Sequence, residues 1–464
     1  MKRNHFAALL ISLPLLALIP FSSSAANVDW PMYGFNLQRT GENPFESVLT
    51  PATVAGLHTL WTFDLGAVTI MQPVAAVGVI VNGSPKDLVY MGAEHGDLYA
   101  IDVVTGEMVW QRNLGSQQTQ CGDIPDKIFG VSGSPFIDRA NNRMFVVGGD
   151  GNMYALDLST GETLSGWPVP VTTDPAHEHT YGAVNVFHNN AYAEIASYCD
   201  ITPYHGKVVS INIASKKVRR FLPAGQRVSG GGIWGPGGVS IDPVTSNVFT
   251  ATGNALTNPE SYRYCENVVE LSSALQVLGS NYPGLTGGDV DFGATPILYQ
   301  PPGCAPLVAA KNKSGVLVTY ERGNVSAGPL QRLQVASVND YQFNGIPAWS
   351  EVTHLLYIGN SSNAGQFKHG MVAFSVDANC QLNLAWQKVV GPNFSSVSPP
   401  SVAGGVVYYG DGYGNELFAF DATTGTQLWS SGATIGGAIY GAPMIVNGRV
   451  FVGAWDGKLY AFGL

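Results

Sequence analysis

Val89-Tyr90-Met91-Gly92, a turn at Glu94-His95-Gly96, Leu98-Tyr99-Ala100-Ile101-Asp102, a second turn at Thr105-Gly106-Glu107, then Val109-Trp110 is the stretch that decides how this chain folds. Each run alternates apolar with small or polar residues, the period of a half-buried strand, and each break carries a turn glycine. The order then recurs: 144–147, Gly151, Tyr154-Ala155-Leu156-Asp157, Thr160-Gly161-Glu162 and Trp167 repeat it. With Ala100 as anchor, equivalent positions fall at Ala155, Ser210, Glu270, Thr319, Ala373, Ala419 and Ala461, at spacings of 55, 55, 60, 49, 54, 46 and 42 residues. Units of this size holding about four strands are propeller blades, each unable to bury its own faces until neighbours stack on both sides.

The eighth copy shows how the ring closes. Its strands fall around 444–446, 450–452 and 459–462, and no Trp strand follows before Leu464. The segment Leu60-Trp61-Thr62-Phe63-Asp64-Leu65-Gly66, ahead of the first copy, looks like the strands of Trp110 and Trp429. Pairing it into the last blade shuts the ring and removes a free edge at the seam. The expected fold is all-β: an eight-bladed β-propeller of four-stranded blades, one domain over residues 27–464, closed by its N-terminal strand.

Composition agrees with many short strands and tight turns. The 464 residues are 45% hydrophobic and 12% charged, with 56 glycines and 28 prolines, which excludes a disordered chain. The formal net charge is -10, and the longest basic runs are Lys216-Lys217 and Arg219-Arg220. Nucleic acid is therefore not an expected partner. Met1-Lys2-Arg3, an apolar stretch over 6–21 and Ser22-Ser23-Ser24-Ala25-Ala26 read as a signal peptide over 1–26. The mature protein is expected to be secreted or periplasmic, with no integral membrane segment after cleavage.

Five cysteines, Cys121, Cys199, Cys265, Cys304 and Cys380, allow disulfides in an oxidising compartment, with connectivity open. An odd count leaves at least one thiol free or paired outside the chain. Neither Cys-x-x-Cys nor Cys-x-x-Cys-His occurs, so zinc fingers and haem c lack their ligands. His177-Glu178-His179 invites a metal reading, but His-x-His in a loop reads first as a polar surface segment. Asn82, Asn312, Asn324, Asn360 and Asn393 begin Asn-x-Ser sequons.

Copies three to six carry insertions at 199–205, 256–264 and 282–289, and loops that vary on a rigid scaffold are where function concentrates. Between two of them lies Gly230-Gly231-Gly232-Ile233-Trp234-Gly235, followed by Asp242-Pro243 and Thr252-Gly253-Asn254. Consecutive glycines beside a lone Trp make room for a flat partner, either a ligand or another strand.

The Tyr-Ala-Leu-Asp and Thr-Gly-Glu-x-x-Trp repeats, together with Trp30-Pro31-Met32-Tyr33-Gly34 and Leu49-Thr50-Pro51, resemble the quinoprotein dehydrogenases that bind pyrroloquinoline quinone (PQQ), over essentially the whole mature chain. Non-catalytic assembly-factor and scaffold propellers share such repeats. More specifically, the Gly230 to Asn254 stretch is similar to the methanol-dehydrogenase segment whose Trp forms the floor under the quinone and whose Asn ligates calcium. That likeness implies Trp234 as floor, Gly232 as part of the cofactor bed and Asn254 as metal ligand. Asp289-Val290-Asp291-Phe292-Gly293 resembles the family's acidic motif, which implies Asp291 as base and metal ligand. Lys311-Asn312-Lys313-Ser314-Gly315 resembles the segment with a basic residue against the quinone oxygen, and Lys313 is the match. The family also takes a carboxylate from the third repeat, for which Asp200 is the candidate.

Each of these residues also has a plain structural reading: a turn cap for the acids, a left-handed turn for Asn254, a core wedge for Trp234, a hairpin residue for Lys313. Two departures stand out. Methanol dehydrogenases cover the quinone with two adjacent, disulfide-joined cysteines, whereas Cys121 alone occurs in the corresponding region, so that lid is expected to be absent. Without haem c, electrons would pass to a separate acceptor. The resemblance thus implies an exported enzyme oxidising a small-molecule or polymeric alcohol with PQQ, calcium and an Asp base. The alternative is a non-catalytic propeller that binds a protein or glycan partner.

Overall fold

The computed structural model describes residues 27–338 and 345–464, besides Met1. The leader expected over 1–26 lies outside these residues, apart from Met1. Eight antiparallel sheets, each with a four-stranded meander, stand around one axis, and every anchor from Ala100 to Ala461 sits on the third strand of its blade. Blade one is Val74–Val81, Ser84–Gly92, Asp97–Asp102 and Met108–Asn113. Blade eight takes Met444–Val446, Arg449–Gly453 and Lys458–Gly463 from the end of the chain and His58–Asp64 from its beginning, with Trp61 opposite Ala461. The expected closure is the observed one.

The Thr-Gly turns and the tryptophans explain each other. Trp110 lies against Gly161 of the next blade, where a Cβ would come within 2.7 Å of the ring, and its indole N–H donates to Leu158 O at 3.0 Å. Trp386 does the same with Gly425 and Ala422. Across the seam Trp61 packs on Gly106 and donates to Val103 O at 3.1 Å. The closing strand therefore uses the same lock as every other blade contact of this kind: only glycine lets the ring approach, and the N–H satisfies a turn carbonyl.

Residues 30–43 do something the repeat does not announce. They run around the axis and bond to the first strand of all eight blades in turn. Trp30 pairs with Ala75, Pro31 O accepts from Ile137 N, and Leu37 O accepts from Asn185 Nδ2 and Ile241 N. Gln38 O, Thr40 O and Gly41 O then accept from Leu298 N, Trp349 N and Val402 N, and Asn43 Nδ2 donates to Ile445 O. Arg39, 1% exposed, anchors this segment by donating to the carbonyls of Tyr33, Val184 and Val239 at 2.7, 3.1 and 3.3 Å. First strands seen from the axis present unpaired backbone groups, and this segment satisfies them.

In an antiparallel meander the second and fourth strands end at the same rim. The hairpins between second and third strands and the connections between blades therefore share one face. That face carries the insertions.

Candidate functional site

The expected site residues converge. Asp200, in the second hairpin of blade three, lines one polar cavity with Gly232 and Trp234 from the connection between blades three and four. Asp289 and Asp291 from the next connection and Lys313 from the hairpin of blade five complete the wall. The cavity volume is about 290 Å³. Asn254 joins through its backbone, whose N–H donates to Asp291 Oδ1 at 2.6 Å.

Trp234 is held at both ends. Its indole N–H donates to Asp291 Oδ2 at 3.3 Å, and its ring packs so closely on Gly293 that a Cβ there would overlap it. Lys313 Nζ lies 5.5 Å from the ring centroid and pairs with Asp289 Oδ2 at 2.5 Å. Burial, opposed by the Lys313 charge and reinforced by Asp289 and Asp200, pushes the Asp291 carboxyl up to about 7. A carboxyl titrating near neutrality can take up and release a proton at working pH. Burial also raises Asp200, while the hydrogen bond from Tyr204 and the charge of Lys313 oppose the rise.

Beside this polar cavity and sharing Asp123, Tyr181, Tyr198 and Trp234 with it lies an apolar shaft. Val68, Ile70, Ile124, Val397, Tyr440 and Trp455 line it, and the Nε1 of Trp455 is buried with no hydrogen-bond partner among the described residues. Glu94 borders the shaft as well. Its carboxyl accepts from Gly130 N and the Ser132 hydroxyl at 2.9 and 2.7 Å, and burial pushes it up to about 7.

Glu94, Lys313 and Trp455 had a common signal in the sequence: each stands two residues before the left-handed hairpin glycine, Gly96, Gly315 or Gly457. That repeat position points its residue to the axis in blades one, five and eight. Tyr181, Tyr198 and Asp123 have no such signal, since they lie in loops without a period.

Two expectations need correction. Cys121 is joined to Cys199, 78 residues away, so a disulfide does stand at the polar cavity although no vicinal pair exists. Spacing concealed it, because the two loops meet only once the blades stack. Cys304 pairs with Cys380, and Cys265 is free and buried. Nor is 177–179 a surface segment throughout: His177 stays partly exposed, but the two residues after it do not. Glu178 is buried in an ion pair with Lys207 at 2.6 Å, and His179 is fully buried against Phe129, its Nδ1 accepting from Tyr198 N at 3.0 Å. Burial lowers His179 to about 4, which keeps it neutral. Among the described residues, the one trio of Cys, His, Asp or Glu ligand atoms within 4.8 Å of one another is Cys121, Asp123 and Cys199, and the disulfide occupies both sulfurs. Of the five sequons, Asn312 and Asn360 are buried and bonded inside the fold, while Asn82, Asn324 and Asn393 are exposed.

The family model PQQ_2, described as "Outer membrane protein assembly factor BamB", matches residues 40–226 and 375–463, more than half of the chain. The chain belongs to this PQQ-like propeller family. The polyvinylalcohol dehydrogenase of Sphingopyxis sp. (strain 113P3) is 23% identical over 443 residues, covering 79% of this chain and 64% of that protein. The outer membrane protein assembly factor BamB of Legionella pneumophila (strain Paris) is 29% identical over 129 residues, 28% of this chain and 29% of that one. The chain thus matches less than two thirds of the length of these relatives. Quinohemoprotein alcohol dehydrogenase from Comamonas testosteroni superposes with a TM-score of 0.69 at 16% identity, covering 95% of this chain and 81% of that one, a likeness of fold.

Proposed function

We propose that this propeller is an exported PQQ-dependent oxidoreductase acting on an alcohol, with calcium beside the quinone. The observation that carries the reading is the meeting of Trp234, Asp291, Lys313 and Asp200 at one cavity, from four separate segments. The residues fit such a group. Trp234 offers aromatic area to a planar ring. The buried, unpartnered Nε1 of Trp455 is a donor that an acceptor-rich ring satisfies. Asp200 and Asp291 line the cavity with the hard oxygens that calcium prefers, and Asn254 lies beside Asp291.

When bound, the quinone supplies a two-electron acceptor for the hydride of the alcohol carbon. The chain supplies the rest. Asp291, near neutrality, takes the hydroxyl proton at a carboxylate oxygen and returns it to solvent, a role worth about 10²- to 10⁴-fold in rate. Lys313 places a cation within the cavity, where it stabilises negative charge that develops during the reaction. The apolar shaft excludes water beside Trp234. With the quinone bound, its reoxidation would call for a separate electron acceptor.

A second reading, a non-catalytic propeller binding a protein or glycan on the loop face, is favoured by the matching family model and by the Legionella relative, both described as an assembly factor. Dye reduction separates the two. With PQQ and calcium supplied, primary, secondary and polymeric alcohols are offered in turn, and the enzyme reading expects at least one to support turnover. A protein that reduces no dye with any of them is a binding propeller.

A further inference from the structure

A second polar cavity, of about 530 Å³, lies beyond the Gly253-Asn254 turn, and Thr257, Asn258, Glu260, Ser261, Glu266 and Tyr282 are among the residues that line it. Gly253 separates the two cavities: its carbonyl accepts from Glu266 N at 3.1 Å, and a Cβ on it would lie 2.9 Å from Asp291 Oδ2. Glu266 is the unexplained member. It is 2% exposed, its backbone is held at φ 54°, and among the described residues no donor reaches its buried Oε1.

A carboxylate out of water with an unsatisfied oxygen is strongly unfavourable. Here the carboxylates of Asp291, Glu260 and Asp289 act on it as well, and among the described residues no Lys or Arg lines the cavity. A left-handed backbone at a non-glycine residue adds a further cost, of the kind that persists where a site requires it. What relieves all of this is a cation. The wall offers carboxylate, amide and hydroxyl oxygens, which suit a hard divalent ion with water completing its shell. Cys265, next in sequence, does not change that preference, because burial pushes its thiol up to about 12 and keeps it protonated.

We propose that this cavity is a calcium site, distinct from the Asp291 centre, with Glu266 as its anchor and Glu260 as the second charged ligand. Two charged ligands on a loop predict a Kd of about 10⁻⁴ to 10⁻³ M.

Calorimetric titration of the chelator-treated mature chain with calcium chloride alone tests it. Wild type is expected to bind a calcium ion that Glu266→Gln eliminates and that Asp291→Asn leaves in place. Without calcium and above about pH 7, where the buried carboxyl is ionised, Glu266→Gln is expected to melt at or above wild type, because it removes an uncompensated buried charge; with calcium, wild type gains stability and the variant does not. Should Glu266→Gln fail to fold, Glu260→Gln in the exposed loop takes its place, and a Kd weakened by about tenfold is expected. Equal calcium binding by wild type and both variants overturns the proposal, as does a wild type that binds none. Neither outcome depends on PQQ, so failure of the cofactor reading and failure of this site are separable.

Discussion

The indole N–H of Trp234 donates to Asp291 Oδ2 at 3.3 Å. One bond thus ties the indole to the carboxylate proposed as base, and a backbone N–H from Asn254 fixes the other oxygen of the same carboxylate at 2.6 Å. The carboxylate is oriented before any ligand arrives, so its position relative to the ring is a property of the fold.

Asp291→Asn keeps the shape of that arrangement and removes the proton acceptor. With PQQ and calcium supplied, turnover is expected to fall by about 10²- to 10⁴-fold while PQQ still binds. Steady-state dye reduction alongside equilibrium dialysis checks both halves, and retained turnover assigns the base elsewhere.

Trp61 locks blade eight to blade one through Gly106 and Val103 O. Trp61→Ala is expected to cost about 2–3 kcal/mol, less than a fully buried Trp because the side chain is partly exposed. Deleting residues 61–66 is expected to abolish cooperative melting altogether. A deletion variant that melts like wild type in scanning calorimetry contradicts the closure.

Arg39 is the pin of the segment that stitches the eight first strands together. Arg39→Met leaves the carbonyls of Tyr33 and Val184 without their donor in a dry interior, while Val239 O keeps Asn185 Nδ2, and is expected to cost about 3 kcal/mol or more in chemical denaturation. A loss below about 1 kcal/mol would mean that the stitch holds without it.

Glu194 lies nearby, its carboxyl accepting from the Thr250 hydroxyl at 2.7 Å and raised by burial to about 8, with the Arg39 charge opposing the rise. A raised acid keeps its proton in the folded state over a range where the unfolded chain has already lost it. Stability from this group is therefore lost as pH rises from about 4.5 to about 8. Glu94 and Glu266, both raised to about 7, act in the same direction. The melting temperature is expected to fall between about pH 5 and pH 8, and Glu194→Gln to flatten that fall. A wild-type profile that rises over this range refutes the sign.

Much of this was legible in the sequence, for physical reasons that differ by residue. The Trp lock on a Thr-Gly turn recurs at Trp61, Trp110 and Trp386, and strand and turn patterns mark the other copies, so the period, the strand count and the role of 60–66 could be read directly. Trp234 and Asp291 were legible because a flat face and a carboxylate lie in unusual loop contexts within a resemblance. The stitch at 30–43 was not: its contacts are backbone carbonyls, which carry no side-chain signature. The Cys121 to Cys199 bridge was hidden for a related reason, since only stacking of blades brings those loops together. His179 looked like a surface residue because burial of a polar loop depends on what covers it, here Phe129 and Tyr198.

Whether Trp234 carries a quinone decides most of what has been said about function. Equilibrium dialysis of the mature chain against PQQ, with and without calcium, is the direct measurement. One PQQ per chain is predicted, dependent on calcium, with affinity reduced about tenfold or more by Trp234→Ala. No saturable binding at about micromolar PQQ, or binding that Trp234→Ala leaves unchanged, would contradict it.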